Sequence, residues 1–210
     1  MFDPKEDPQE VYRRYAALAR RLDPEHGLGG KLLFADELNA SSIQLVRAAN
    51  IAGAASFLTS SDNAALRQAM RDGVVDFVVT TLDETLRILK NEIRKKQAVS
   101  VGIYCADIAA FAWEMQERGV QPDLPAAGAE PLDDACEWVA LDLPAGDKSF
   151  ASKLDAVVLG AVPAEDYAAH RWYRMSPRYL PRAFRNLRTV ACSRDAARKI
   201  QSWYEQAAHA

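Results

Sequence analysis

Cys192-Ser193-Arg194-Asp195-Ala196-Ala197-Arg198 has the C-x5-R spacing by which a phosphatase loop holds phosphate between a thiolate and an arginine. The intervening chemistry argues against that use. No glycine allows close backbone approach, Asp195 would repel the phosphate, and Ser193 with Asp195 reads as the start of a helix. Cys192 is therefore expected as a buried small hydrophobe. With Cys105 and Cys136 it makes three cysteines, an odd number without a CxxC pair, which argues against a disulfide framework or a thiolate metal site. His26, His170 and His209 share no metal-ligand spacing, so no metal is expected. His170 lacks an identifiable catalytic partner, and no Ser/His/Asp order, Walker loop or HExxH motif is present. Catalytic residues stay unassigned.

Two further groups of residues carry chemistry. The first is polar and dispersed: Asn39, Ser41, Ser42, Ser60, Asp62 and Cys105. The second is residues 170–188, where six arginines interleave with Trp172, Tyr173, Tyr179 and Phe184. That mixture suits phosphate-bearing partners, single-stranded nucleic acid, or a protein interface with Arg171, Trp172, Arg174, Arg178, Arg182 and Arg185 as contacts, and the plain alternative is a solvated arginine face over packed aromatics. Charge bears on the partner. Residues 161–210 hold nine Lys and Arg against four Asp and Glu, and residues 1–160 hold 17 against 25, which together give the net −3. A self-association or a protein partner through residues 170–188 is expected, and nucleic acid is not.

The polar group is placed by the elements around it. Residues 7–22 set Val11, Tyr15, Leu18 and Leu22 at helical spacing, with Asp23-Pro24 as a stop. Apolar runs at 31–35, 55–59, 74–80 and 98–104 then alternate with helical stretches at 41–54, 61–73, 82–96 and 108–118. Asn39 or Ser41, and Ser61 or Asp62, are placed to cap two of these helices. Such alternation predicts an α/β, doubly wound, mostly parallel sheet with helices on both faces. Past Pro122 a loop rich in Ala, Pro and Gly leads to expected strands at 138–143, 154–159 and 189–192 and a closing helix at 193–208. The whole chain is expected as one domain: an N-terminal helix over 1–26, a central part over 27–125, and an extension over 126–210 completing the sheet. With 49% hydrophobic and 26% charged residues, no apolar run near 18 residues and no signal-like N-terminus, a cytoplasmic chain without membrane contact is expected.

In an open α/β sheet the ligand crevice lies beyond the C-terminal strand ends, which marks residues 36–42, 60–62, 80–83 and 105–107. Helix capping accounts for the same residue types, so both readings stand. Ser41 and Ser42 are placed to hold a small anion through hydroxyls and helix N–H groups.

The run Ala48-Ala49-Asn50-Ile51-Ala52-Gly53-Ala54 resembles the helix after the glycine-rich loop in urocanase (urocanate hydratase). The resemblance continues in register through Arg71-Asp72-Gly73-Val74-Val75-Asp76, Thr80-Thr81-Leu82-Asp83-Glu84, Ala98-Val99-Ser100-Val101-Gly102 and Arg118-Gly119-Val120-Gln121-Pro122-Asp123-Leu124. It covers about residues 27–125 and implies a Rossmann-like domain with tightly bound NAD⁺, used as an electrophile while water adds to urocanate. The chain departs from the family where that cofactor would bind. In place of the glycine-rich turn stands Glu37-Leu38-Asn39-Ala40-Ser41-Ser42-Ile43-Gln44, without glycine and with Asp36 and Glu37 adding negative charge. Ser60 stands at the family's ribose-binding acid, with Asp62 the nearest substitute, and Cys105-Ala106 replace its Gly-Asn. The D-Q-T-S stretch has no counterpart at 126–134, and the flanking core domain is not expected in this chain. The resemblance thus implies a stand-alone urocanase-like domain without hydratase activity, binding a small ligand or a protein, with NAD binding not expected. The alternative is an enzyme of altered specificity, a urocanase-related lyase or a nucleotide-using one, with its site at the strand ends.

Overall fold

A computed structural model describes residues 7–208 apart from 127 and 145, with the side chain of 208 also excluded. The first six residues of the N-terminal reading, one residue of the loop after Pro122, and His209 therefore lie outside the described residues. The chain divides into two compact units, Met1–Ala129 and Glu130–Ala210, in place of the one continuous domain expected from the sequence.

The first unit opens with α1 (Pro8–Ala19), capped by Asp7, whose side chain accepts from the Gln9 N–H. Four βα units follow: β1 (Leu32–Glu37), α2 (Ala40–Ala52), β2 (Ala55–Ser60), α3 (Asn63–Arg71), β3 (Phe77–Val79), α4 (Leu82–Arg94), β4 (Val99–Tyr104) and α5 (Ile108–Glu117). The strands form one parallel sheet in the order β1-β2-β4-β3. Leu124 adds an isolated parallel bridge to Leu33. The third strand is shorter than the expected 74–80, and the cause is local. Asp76 Oδ2 accepts from the Ser100 N–H at 2.8 Å and the Ser100 hydroxyl at 2.9 Å, so a side chain occupies a donor that an extended strand would use.

Strand alternation sorts the two faces of the sheet. Ala55, Phe57, Val99, Val101 and Ile103 pack with Leu82, Leu86, Leu89, Phe111 and Met115 of α4 and α5. The intervening residues turn toward α2 and α3: Asn50 Nδ2 donates to Ser100 Oγ at 3.3 Å, and Gly102 lies under Leu66. A Cβ at Gly102 would sit 2.9 Å from Leu66 Cδ2, so close helix approach explains that glycine. Helix α2 lies between the sheet and α1, and its Ala48, Ala49 and Ala52 are fully buried. Small side chains let backbone approach on both sides of this helix. Gly53, in the left-handed region at φ 96°, ends it.

The second unit is built around an antiparallel pair, β5 (Cys136–Asp142) and β6 (Leu187–Ser193), in register from Cys136↔Ser193 to Asp142↔Leu187. Helices α6 (Lys148–Ala161), α7 (Tyr167–Tyr179) and α8 (Arg194–Ala208) pack around it. Two expectations are corrected here. Among the described residues the extension does not complete the parallel sheet, because β5 and β6 form a two-stranded sheet of their own. Residues 154–159 are helix rather than strand: Phe150, Leu154 and Val158 recur every four residues and enter one core with Val139, Tyr173, Val190 and Ile200. Among the described residues no helix is long and apolar enough to cross a membrane.

Candidate functional site

Helices α2 and α3, after β1 and β2, cover one face of the sheet, whereas α4 and α5, after β3 and β4, cover the other. The reversal falls between β2 and β4, where the strand ends of an open sheet form a ligand crevice. Here Cys105 N donates to Ser60 O at 3.1 Å and prolongs the β2–β4 ladder across that point. The open space lies one strand over. A cleft of about 620 Å³ is bounded by the β3–α4 and β4–α5 connections.

Its polar groups are Thr80, Thr81, Asp83, Tyr104, Cys105, Asp107 and Glu114, with Leu82, Ala110 and Phe111 among its apolar lining. Thr81 caps α4 by accepting from the Glu84 N–H at 3.3 Å, and Asp107 caps α5 by accepting from the Ala110 N–H at 2.9 Å. Arg118 ties the two walls, donating to Asp83 of α4 and to Glu114 of α5. Contact with Asp83 holds the Arg118 guanidinium above its ordinary pKa. Burial, then the charges of Asp107 and Glu37, pushes the Cys105 thiol up, so it stays protonated at neutral pH and the local potential is negative.

Of the sequence candidates, Cys105 lines this cleft and Asn39, Ser41, Ser42, Ser60 and Asp62 do not. Those five serve local structure. Asn39 Oδ1 accepts from the N–H groups of Ser41 at 2.8 Å and Ser42 at 3.0 Å, while Asn39 N donates to Ser42 Oγ at 2.8 Å. Asp62 Oδ1 accepts from the Ala64 and Ala65 N–H groups, and Ser60 Oγ from the Asp62 N–H. The cleft residues outside the strand-end ranges marked from the sequence are Tyr104, Ala110, Phe111 and Glu114; nothing in their spacing marks them, because two separate connections bring them together.

The β1–α2 turn decides whether a dinucleotide fits. A pyrophosphate at a helix N-terminus needs free N–H donors and close backbone approach. Here the capping box takes the donors of Ser41 and Ser42, Ser42 is buried, and exposed Asp36 and Glu37 lie just before the turn. The residues present do not fit the group.

In the second unit Trp172 departs from its expected place on an interface. It is fully buried, with Nε1 donating to Thr189 Oγ1 at 3.0 Å and its ring 6.0 Å from that of Trp138. Arg174, Arg178, Arg182 and Arg185 are exposed and Arg171 is half-buried. Cys192 is 3% exposed, and burial pushes its thiol up to about 11, which leaves no thiolate for the phosphatase reading. Among the described residues no three His, Cys, Asp or Glu side chains come together as a metal cage.

Residues 10–129 match the family model described as the urocanase Rossmann-like domain. The match extends the resemblance read from the sequence to include most of α1.

Proposed function

Given that the chain belongs to the urocanase family through this Rossmann-like domain, we propose that it acts as a small-ligand-binding module without hydratase activity. The observation that carries this reading is the Asn39 capping box, which occupies the backbone donors where the family's pyrophosphate would bind. A ligand-sized cleft lies beyond β3 and β4. Its chemistry favours a different ligand from the small anion first expected at Ser41 and Ser42. Asp107 meets no basic side chain among the described residues, and the Cys105 thiol senses its charge. An acidic rim over Phe111 and Tyr104 suits a small molecule with a cationic or hydrogen-bond-donating head and a flat apolar body. A reacting group for the alternative lyase reading is not favoured by any feature of the cleft, whose thiol is held neutral.

The test is a thermal-shift screen of small amines, amidines and cationic heterocycles, with hits confirmed by calorimetry. Asp107→Asn keeps the helix cap, because Asn caps as well as Asp, and removes only the charge. A cationic ligand is expected to lose about 1 kcal/mol, or about fivefold in affinity, in that variant. Hits whose affinity ignores both Asp107→Asn and Tyr104→Ala would place the binding site elsewhere. Urocanate added to the chain is expected to keep its ultraviolet absorbance, and a decline above the protein-free control would contradict the loss of hydratase activity.

A further inference from the structure

Helix geometry separates the arginines of α7 from its aromatics. At 100° per residue, Ala169, Trp172, Tyr173 and Ser176 fall on one side and are buried. Tyr167, Arg171, Arg174 and Arg178 fall on the opposite side, one residue per turn. Tyr167 is 51% exposed, and Arg174 and Arg178 are exposed. The 3-10 turn Arg182–Phe184 and its neighbour Arg185 continue the line with two more exposed arginines. Among the described residues Arg174, Arg182 and Arg185 meet no carboxylate, and Arg178 lies over the Tyr179 ring at 5.2 Å. A ridge of like charges repels itself, and an opposite charge from outside relieves it more strongly than salt alone.

The opposite charge is present on the same chain. On α5, Trp113 is 64% exposed and Glu117, one turn on, is exposed beside it. Glu84, next to the Asp83 that Arg118 binds, is exposed on neighbouring α4. Glu84 and Glu117 meet no cation among the described residues. An exposed indole with an exposed carboxylate one turn along the same helix offers a guanidinium a π face and an anion together. Arginine and tryptophan are also the residues that dominate protein interfaces.

We propose that the arginine ridge of α7 and the following turn docks on the Trp113–Glu117 face of a second copy of this chain. Residues 161–210 carry a balance of +5 and residues 1–160 one of −8, so two copies attract through these regions while the chain as a whole, at −3, repels a polyanion at long range. The contact is heterologous, a surface of one copy meeting a different surface of the next. It is independent of what the β3–β4 cleft binds.

Light scattering on the full chain tests it, at low ionic strength and at about 1 M salt, where the Debye length is about 3 Å. The wild type is expected above single-chain mass at low salt and to fall toward it at high salt. Arg174→Glu/Arg178→Glu/Arg182→Glu is expected at single-chain mass throughout, and so is Glu84→Lys/Glu117→Lys, each with unchanged circular dichroism. Mixing the two variants lets the unaltered arginine ridge of one meet the unaltered Trp113–Glu117 face of the other, and the acidic ridge meet the basic face, so association above single-chain mass is expected to return. A wild type at single-chain mass at its highest soluble concentration in low salt overturns the proposal. So does an arginine variant that keeps the wild-type mass, or a mixture of folded variants that fails to associate. Salt-sensitive retention of single-stranded DNA without any change in wild-type mass would assign the ridge to nucleic acid and likewise overturn it.

Discussion

Trp172→Ala is expected to destabilise the second unit by about 3–5 kcal/mol, the range for removing a large buried aromatic. The side chain is fully buried, its ring tilts against Trp138, and its Nε1 donates to Thr189 Oγ1, itself 1% exposed. Truncation therefore leaves both a cavity and a buried hydroxyl without its donor. Trp172→Phe retains most of the volume and loses the hydrogen bond, so a loss of about 1–3 kcal/mol is expected. Chemical denaturation of the full chain followed by far-ultraviolet circular dichroism measures both. A loss below about 1 kcal/mol for the alanine variant would return Trp172 to the surface and contradict the packing described for α7.

The same residue shows where sequence reading ran out. Residues 170–188 have arginine and aromatics mixed along the chain, and composition alone treats them as one surface. The 3.6-residue phase divides them, but Pro177 inside α7 hides the helix, since proline usually ends one. Residues 154–159 misled for a related reason: a short apolar run with paired valines fits a buried strand as well as a buried helix. The first unit was more legible. Its four strands alternate with four helices, and the caps at Asn39 and Asp62 stand where their residue types placed them. Strand order was not legible, because β4 enters between β2 and β3 and nothing local records that. For the same reason the cleft could only be located as four sets of strand ends, of which two, at 80–83 and 105–107, come together around it.

The second large effect concerns the dinucleotide. A family domain with a glycine-rich turn offers a pyrophosphate several backbone donors at a helix N-terminus. In this chain Ser41 and Ser42 N–H groups already bind Asn39 Oδ1, and Asp36 and Glu37 put two carboxylates just ahead of the turn. Asp36 sits in the left-handed region at φ 68°, at the irregularity between Phe34 and Glu37 where β1 changes register against β2. Binding would have to break the capping box and bring phosphate charge toward these acids. NAD⁺ is therefore expected to bind with a dissociation constant no tighter than about 1 mM, which corresponds to about 4 kcal/mol.

Removing the cap does not restore the site. Asn39→Gly frees the donors and supplies one glycine, but Asp36, Glu37 and the Cβ atoms of Ala40 and Ser41 remain. Its affinity for NAD⁺ is expected to stay near that of the wild type, while Asn39→Ala also weakens α2 by about 1 kcal/mol through loss of the cap.

Isothermal titration of NAD⁺ into the full wild-type chain tests the central claim most directly. The expected result is a trace without saturation through about 1 mM ligand. Saturable binding at micromolar concentration or tighter would show that the dinucleotide site survives without its glycines, and would contradict the account.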